Sequence, residues 1–375
     1  MSGIDIGDIP VPPGTEKEVR IVDRFDHDVA FKFAFIGVGQ CGGRIAATFS
    51  KLGYGRVAAV NSTRADLGDL ALPEAQKLDV GEARGAGKDP QTAAAIFADK
   101  DEDLFDLYKR CWGDDVDVAF VCFAAAGGTG AGAFPKAVEV ARRYMLETKR
   151  QVRVGAIVAL PKTAEGQRFA KNAVHAMRHL VSQQISPILF VDNEKIKELF
   201  DPGTDKEHDV ANTGTARLLH TFNRIAGAES EHTTFDRADF ARLLDSGVVA
   251  VGSDRLTSWD SPADITTAIR DKLRHNILAT VDLNQGTVAA LIYVLYGDAY
   301  GVRSSYLDYG TEMLTRMLAD DSVVLPGVYR GIQDGQAAIN ILAMIGGLPW
   351  PRKRLEELGQ KAGTPKDNIA KILGV

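Results

Sequence analysis

Short apolar runs typical of buried β-strands alternate with helix-compatible stretches from residue 30 to about residue 200. The runs cover residues 31–36, 56–60, 116–123, 152–160 and 188–191. This alternation predicts a parallel sheet wrapped by helices, because parallel neighbours need a helical crossover between them. In such folds ligands bind at the carboxyl ends of the strands, so the loops that follow these runs are the candidate functional segments.

The third run ends in a stretch of small residues, AAAGGTGAG at positions 124–132, and a helix-compatible segment follows from Phe134. Glycines let the main chain approach a ligand closely, and the N–H groups at the start of a helix hold phosphate. The hydroxyl of Thr129 adds a hydrogen-bond donor or a metal ligand. We therefore interpret this stretch as a phosphate-binding loop rather than as a mobile glycine-rich turn.

A second glycine-rich loop, GVGQCGGR at positions 37–44, follows the first apolar run, and two such loops suggest two contacts with one polyphosphate. Gly37, Gly39 and Gly42 also spell the G-x-G-x-x-G fingerprint of dinucleotide-binding oxidoreductases, which is an alternative class. That class needs an acidic residue where the second run ends, and this chain has Asn61 there, followed by Ser and Thr. The oxidoreductase alternative is therefore disfavoured.

The composition of the 375 residues limits the classes of partner. With 45% hydrophobic and 25% charged residues, the chain is long enough for two domains with their own cores. The net charge of −6 comes without a basic block in the sequence, so direct nucleic-acid binding is not expected and anions must be held by backbone amides and a few cations. No apolar stretch approaches the roughly 18 residues of a membrane span, and no direct membrane binding is expected.

The cysteines and the first residues of the chain indicate a compartment. Cys41, Cys111 and Cys122 are odd in number and lack the spacing of a metal site or a redox motif. This pattern favours a reducing environment. The first residues are acidic and proline-rich, unlike a signal peptide. We therefore expect a cytoplasmic protein.

The pattern predicts an α/β fold of four segments. Residues 1–28 form a polar, proline-containing N-terminal extension, and residues 29–208 form a Rossmann-like domain with a parallel sheet and both glycine loops. In residues 209–230 the apolar positions recur at helical spacing, which predicts a long, largely buried central helix. Residues 231–375 form a second, smaller α/β domain.

The seven residues AGGTGAG at positions 126–132 satisfy the signature of the tubulin/FtsZ superfamily at every position. The chain resembles these polymerising GTPases from about residue 32 to about residue 300. GQCG at positions 39–42 and VDNE at positions 191–194 are similar to the tubulin versions of two nucleotide loops, whereas residues 160–168 are similar to the FtsZ version of the ribose loop. This mixture is typical of a divergent prokaryotic, archaeal or phage member.

The resemblance implies that the chain binds GTP or GDP with Mg²⁺, and it implies which residues contact the nucleotide. These are Gly39, Gln40, Cys41, Gly42, Asn61, Ala86, Gly87, Lys88, Ala126, Gly127, Gly128, Thr129, Gly130, Ala131, Pro161, Glu165, Arg168, Asn193 and Asn212. Backbone amides of the glycine loops would carry most of the phosphate binding. The ligands of the metal stay unassigned.

Some implied contacts have an alternative explanation. Asn193 matches the position that reads guanine, because a side-chain amide donates and accepts hydrogen bonds together. Asn212 opens the predicted central helix and matches a second guanine contact, but it would otherwise be an ordinary N-cap. Lys88 stands in a loop where members of the family often carry only small residues. Its side chain either adds positive charge near the γ-phosphate or points into solvent, and we favour solvent. Glu165 and Arg168 match ribose and phosphate contacts and would otherwise form a surface ion pair.

Asp236 and Asp239 match the acidic residues, three apart, that the family carries in the loop entering the next helix. In the family this loop reaches the nucleotide of the neighbouring subunit and positions the attacking water, so the resemblance implies that both residues are catalytic. Without the resemblance, Asp236 would cap the helix and Asp239 would be solvated in its first turn. Thr234 departs from the Asn that many FtsZ-like members carry.

The resulting hypothesis is a cytoskeletal GTPase that stacks head to tail with itself and hydrolyses GTP at the subunit interface. Its expected partner is a second copy of the chain, with adaptor proteins as further candidates. The alternatives are a GTP-binding filament or regulatory scaffold without significant hydrolysis, and the disfavoured oxidoreductase.

Overall fold

One sheet runs through the described chain, which in this computed structural model comprises residues 29–81, 85–148, 151–200, 207–230, 232–331 and 336–374. The predicted N-terminal extension, residues 1–28, lies outside the described residues. Within the described residues ten strands are present: β1 (Phe33–Val38), β2 (Val57–Asn61), β3 (Lys77–Asp79), β4 (Val118–Ala124), β5 (Val154–Leu160), β6 (Ile188–Asp192), β7 (Val248–Leu256), β8 (Val288–Tyr296), β9 (Val323–Arg330) and β10 (Ala338–Leu348).

Helices flank both faces of this sheet. Those in the described segments are α1 (Gly39–Lys51), α2 (Arg64–Gly68), α3 (Pro90–Phe97), α4 (Asp101–Trp112), α5 (Thr129–Glu147), α6 (Gln167–Gln183), α7 (Asn193–Phe200), α8 (Glu207–Ile225), α9 (Arg237–Leu244), α10 (Pro262–Thr267), α11 (Ser304–Met317), α12 (Arg352–Ala362) and α13 (Lys366–Leu373). α10 continues as a π-helix over Ala268–Leu273. Across the described segments, every helix is too short or too polar to cross a membrane.

The order of the strands creates a crevice. The order is β3-β2-β1-β4-β5-β6-β7-β10-β8-β9, and the first six strands are parallel. The strand order reverses between β1 and β4, as in doubly wound nucleotide-binding folds, so a crevice opens beyond the carboxyl ends of these two strands. Both glycine loops begin there. The predicted α/β class with a mostly parallel sheet is confirmed.

β7 joins the two halves of the chain within this one sheet. It pairs in parallel with β6 through Ile188↔Val248 and Leu189↔Val249, and it pairs antiparallel with β10. β8 pairs antiparallel with β10 and in parallel with β9. The sheet is therefore continuous across the boundary predicted between two α/β domains, and that division stays a prediction.

Apolar layers cover both faces of the sheet. On β1, Ala34, Ile36 and Val38 face one layer while Phe33 and Phe35 face the other, and all five are buried. A strand covered on both sides needs apolar residues at every position. This explains why the parallel strands appear in the sequence as continuous apolar runs.

α8 lies in one of these layers, packed against α1. Leu218 and Phe222 are among its buried residues. Near its C-terminal end, Asn223 accepts a hydrogen bond at Oδ1 from the backbone N of Phe31 at 2.8 Å and donates from Nδ2 to the Phe31 carbonyl at 2.9 Å. This pair of hydrogen bonds fixes the end of α8 at the amino-terminal end of β1.

His220 lies on α8 one turn before this contact and is buried beside Tyr54, with its Nδ1 3.1 Å from the tyrosine hydroxyl. Burial and the neighbouring Arg224 lower the pKa of His220 from 6.5 to about 4. The folded protein therefore keeps this imidazole neutral, whereas the unfolded chain binds a proton there as the pH falls below about 6.5. Stability is consequently lost as the pH falls from 6.5 towards 4.

We predict that His220 alone lowers the free energy of unfolding by about 2 kcal/mol between pH 7 and pH 5. His220→Gln keeps a hydrogen-bonding side chain against Tyr54 and is expected to reduce the pH dependence by that amount. The measurement is urea unfolding at both pH values, with His232→Gln at an exposed position as the matched control. An unchanged pH dependence in His220→Gln would contradict the prediction.

Candidate functional site

The two glycine loops touch each other at the carboxyl ends of β1 and β4. Gly39 begins α1 with φ at +74°, a conformation that favours glycine, and a Cβ there would lie 2.9 Å from the backbone N of Gly130. A Cβ on Gly42 would lie 2.1 Å from the carbonyl oxygen of Cys122, so α1 packs directly on β4. The two loops therefore form one continuous backbone surface.

The segment around Lys88 packs on the same surface. A Cβ on Gly128 would lie 2.7 Å from the Cα of Lys88. Asn172 on α6, which is buried, donates from Nδ2 to the carbonyls of Lys88 at 3.0 Å and Ala126 at 3.1 Å. α6 thereby fixes the segment after β3 against the loop after β4. Asn172 is absent from the predicted contacts, because no sequence pattern relates it to either loop.

Two cationic side chains flank this surface. Lys88 is exposed, with φ at +61°, and its ammonium lies 5.1 Å from the ring centroid of Phe169. Arg168 is also exposed and donates from Nη2 to the carbonyl of Gly87 at 2.9 Å. A cation over an aromatic face is stabilised while it stays hydrated. Lys88 therefore faces solvent here, and its contact with a nucleotide stays a prediction.

Hydroxyl groups join the end of β2 to the start of α5. Ser62 Oγ and Thr129 Oγ1 lie 2.8 Å apart, and the backbone N of Ala86 donates to Ser62 Oγ at 3.3 Å. Ser62 is buried, whereas Thr129 is partly exposed. Ser62 is also absent from the predicted contacts. The sequence at the end of β2 was compared only with the dinucleotide fingerprint, which requires an acidic residue there.

Asp66 on α2 accepts hydrogen bonds from three neighbouring side chains. Asn61 Nδ2 and Thr63 Oγ1 donate to its Oδ2 at 3.0 and 2.8 Å, and Gln40 Nε2 donates to its Oδ1 at 3.1 Å. These bonds tie the loop after β1 to the end of β2. Asp66 is also absent from the predicted contacts. The dinucleotide fingerprint requires an acidic residue at the end of the second strand, whereas Asp66 lies beyond that end, on a short helix.

The loop surface has room for an anion. Among the described residues, a Cβ on Gly87 would meet no atom within 4 Å, and one on Gly127 would meet only the carbonyl oxygen of Ala124, at 3.9 Å. Burial raises the pKa of the Cys41 thiol to about 11, so the thiol carries no negative charge at neutral pH that would repel a phosphate. The first N–H groups of α1 and α5 are backbone donors of the kind that bind phosphate.

The remaining predicted contacts follow β5 and β6. Pro161 is the first residue after β5, and in the same loop Glu165 accepts at Oε1 from the backbone N of Lys162 at 2.8 Å. Asn193 is the first residue of α7, directly after β6, and is partly exposed. The predicted contacts, except Asn212, thus lie at the carboxyl ends of the six parallel strands or in the segments that follow them.

The expectation that Asn212 opens the central helix is wrong. α8 begins at Glu207, so Asn212 lies inside the helix and is buried. Asn212 lies about 16 Å along the helix from Asn223, away from the amino-terminal end of β1, and its contact with guanine stays a prediction.

Asp236 and Asp239 form a capping box at the start of α9. Asp236 accepts at Oδ1 from the backbone N of Ala238 at 2.8 Å and of Asp239 at 2.9 Å. Asp239 accepts at Oδ2 from the backbone N of Asp236 at 3.3 Å. Asp236 therefore does cap this helix, and one oxygen of each carboxylate serves the capping box.

Arg237 fixes this acidic helix start at the amino-terminal ends of the strands. It donates from Nη2 to Asp117 Oδ1 at 3.0 Å and from Nη1 to the carbonyl of Ala30, and its guanidinium lies 4.2 Å from the ring centroid of Phe31. Asp117 immediately precedes β4, and the other two partners precede β1. The glycine loops lie at the opposite ends of these strands, about 20 Å away at roughly 3.3 Å per residue.

Comparison with known proteins finds a family model and curated relatives that this chain resembles. Residues 32–201 match the family model described as the GTPase domain of the tubulin/FtsZ family. The tubulin-like protein TubZ of Bacillus cereus is 23% identical over 91% of this chain and 87% of its own length. The chain is therefore similar to the tubulin/FtsZ family over its first α/β half.

Two further comparisons show a similar protein and a similar structure. The tubulin-like protein CetZ of Pyrococcus abyssi is 34% identical over 44% of this chain and 45% of its own length. A crystal structure of a GTPγS-form protofilament of TubZ from Bacillus thuringiensis serovar israelensis superimposes with a TM-score of 0.75 at 18% identity. The superposition covers 90% of this chain and 93% of the TubZ chain, so the two share their fold over nearly their whole length.

We predict that Asn172→Ala lowers the free energy of unfolding by about 1–3 kcal/mol, because it leaves the carbonyls of Lys88 and Ala126 without this donor. The measurement is urea unfolding. Lys171→Ala, at the exposed neighbouring position of α6, is the matched control and is expected to change stability by less than about 0.5 kcal/mol. Equal losses in the two variants would show that Asn172 has no special part in holding the loops.

Proposed function

We propose that this chain binds GTP with Mg²⁺ at the carboxyl ends of β1 to β6 and stacks head to tail into filaments that hydrolyse GTP to GDP and phosphate. The observation that carries the proposal is the distance between the glycine loops and the acid pair within one chain. The glycine loops lie at one end of the parallel strands. The acid pair, Asp236 and Asp239, lies at the other end.

The separation argues against a site completed within one chain. β1 has six residues and β4 has seven, which puts about 20 Å between the glycine loops and the start of α9. An aspartate side chain spans only a small part of that distance. A second copy stacked in the same orientation brings its acid pair to the glycine loops of the first, and a heterologous contact of this kind continues into a filament.

Backbone amides supply most of the proposed phosphate binding. The N-terminal N–H groups of α1 and α5 have no partner inside their own helices, and the positive end of each helix dipole faces the crevice. In the described residues no group of three or more His, Cys, Asp or Glu side chains could hold a metal ion. Mg²⁺ commonly takes most of its ligands from phosphate oxygens and water, and the adjoining hydroxyls of Ser62 and Thr129 would be its protein ligands.

The capping box suits the acid pair for placing a water molecule. It engages Oδ1 of Asp236 and Oδ2 of Asp239 and so fixes both side chains in the first turn of α9. The second oxygen of each carboxylate lies outside the box. Such a carboxylate orients the attacking water and accepts its proton, while the amides at the glycine loops stabilise charge on the γ-phosphate.

The second candidate function is a GTP-binding filament or regulatory scaffold without significant hydrolysis. The capping box favours it, because the box gives Asp236 a structural role that needs no catalysis. The exposed Thr234, which departs from the Asn of many FtsZ-like members, stands beside the same pair. Both candidates share the head-to-tail stacking, and they differ in the turnover of GTP.

We predict that phosphate release from GTP, per molecule of protein, rises above a threshold protein concentration, because each site needs a second copy. The measurement is phosphate release across a range of protein concentrations, with ATP as the control nucleotide and filament mass followed by sedimentation. Flat activity per molecule would mean that one chain holds a complete site. Filaments without phosphate release would favour the scaffold.

We predict that Asp239→Asn lowers the GTPase rate of assembled filaments on the order of 10²-fold, the typical contribution of a positioned acid or base. Asparagine keeps an acceptor oxygen for the backbone N of Asp236, so the helix start and the filaments are expected to persist. Sedimentation with GTPγS checks assembly, and Asp106→Asn at an exposed position on α4 is the matched control. An unchanged rate in Asp239→Asn would remove this residue from the mechanism.

A further inference from the structure

A buried arginine from the C-terminal part of the chain reaches the nucleotide end of the sheet. Arg354 on α12 is 2% exposed, and its Nε donates to Oδ1 of Asp192, which is 1% exposed, at 3.1 Å. Asp192 is the last residue of β6 and directly precedes Asn193. Its carboxylate also accepts from Thr280 Oγ1 at 2.9 Å and from the backbone N of Glu194 at 3.2 Å.

The other nitrogens of the same guanidinium reach the loop after β5. Nη1 donates to Thr163 Oγ1 at 3.0 Å, and Nη2 donates to the carbonyl of Pro161. Nη1 also contacts Glu357 Oε2 at 3.1 Å, and Lys361 of the same helix donates to the carbonyl of Thr163. One planar group therefore joins the loop after β5 to the start of α7.

The burial of this ion pair argues for a geometric role. Taking two charges out of water costs more than their attraction commonly returns, unless further hydrogen bonds satisfy both groups. Burial raises the pKa of Asp192 even though the Arg354 charge acts in the opposite direction. An apolar pair of similar size would fill the space without this cost. A guanidinium instead offers rigid donors that fix several acceptors at set angles.

We propose that Arg354 is a positioning residue for the nucleoside half of the bound nucleotide. It holds the loop that carries Pro161 and Glu165, proposed to contact the ribose, at a fixed distance from Asn193, proposed to contact the base. The hydrogen bonds of Arg354 go to the end of β6, to the loop after β5 and to its own helix, and not to the glycine loops after β1 and β4. The inference rests on the proposed binding of GTP at this end of the sheet.

Since Arg354 contacts the proposed nucleoside side of the site, we expect its substitution to affect the binding of GTP more than the binding of a phosphate chain alone. Arg354→Lys keeps a positive charge against Asp192 but loses the fork of donors that spans both loops. Its dissociation constant for GTP is expected to rise about tenfold, which corresponds to the loss of one charge-assisted hydrogen bond. The dissociation constant for inorganic tripolyphosphate, which has neither ribose nor base, is expected to stay within about twofold of the wild-type value.

The experiment measures equilibrium binding of GTP and of tripolyphosphate to the full chain below its assembly threshold. Arg352→Lys is the matched control, because Arg352 lies on the same helix, is exposed and pairs with Glu356 at 2.8 Å. Unfolding by urea without ligand verifies that each variant is folded. If Arg354→Lys does not fold, Thr163→Val removes the hydroxyl partner of Nη1 at an exposed position and is expected to weaken GTP binding selectively.

The outcomes separate the inference from the proposed function. Selective weakening of GTP in Arg354→Lys, or in Thr163→Val where the first variant does not fold, supports the positioning role. Equal weakening of both ligands, or no change in either, overturns it while GTP binding by the wild-type chain upholds the proposed function. A wild-type chain that binds neither GTP nor tripolyphosphate overturns the proposed nucleotide site itself.

Discussion

Direct backbone contact between helices and strands is the constraint on which the rest of the structure depends. Where the strand order reverses, a Cβ on Gly37, Gly42 or Gly132 would lie 2.0 to 2.5 Å from a backbone oxygen. This closeness lets α1 pack directly on β4 and α5 pack directly on α3. The same packing sets the starts of α1 and α5, with their free amides, beside the crevice, so the packing of the fold and the chemistry of the site have one cause.

The sequence predicted well those features that depend on local pattern. The parallel strands are buried on both faces, so their apolar runs identified them without knowledge of their partners. The short edge strand Lys77–Asp79 and the half-buried Val323–Arg330 escaped, because exposed faces interrupt their apolar pattern. The helices Arg352–Ala362 and Lys366–Leu373 were also left unassigned within a short segment of mixed charge. Their role depends on what they pack against.

The candidate site likewise has one part that the sequence predicts and one part that it does not. Glycine loops are contiguous in the chain and carry a readable signature, whereas Ser62, Asn172 and Arg354 reach the site from distant segments. Asn172 is 46 positions from Ala126, and Arg354 is 162 positions from Asp192. Single residues at such separations leave no spacing to read in one sequence. Tertiary contact alone reveals that they hold the loops together.

The narrow joint between β6 and β7 has a mechanical consequence. Two residue pairs link the parallel half of the sheet to the strands that follow, whereas β7 and β10 pair along most of their length. Tension along the strands would shear the short β6–β7 ladder unless another contact carried part of the force. α8 packs against α1 in the parallel half and against β7 beyond the joint, so it supplies a second connection between the two parts of the sheet.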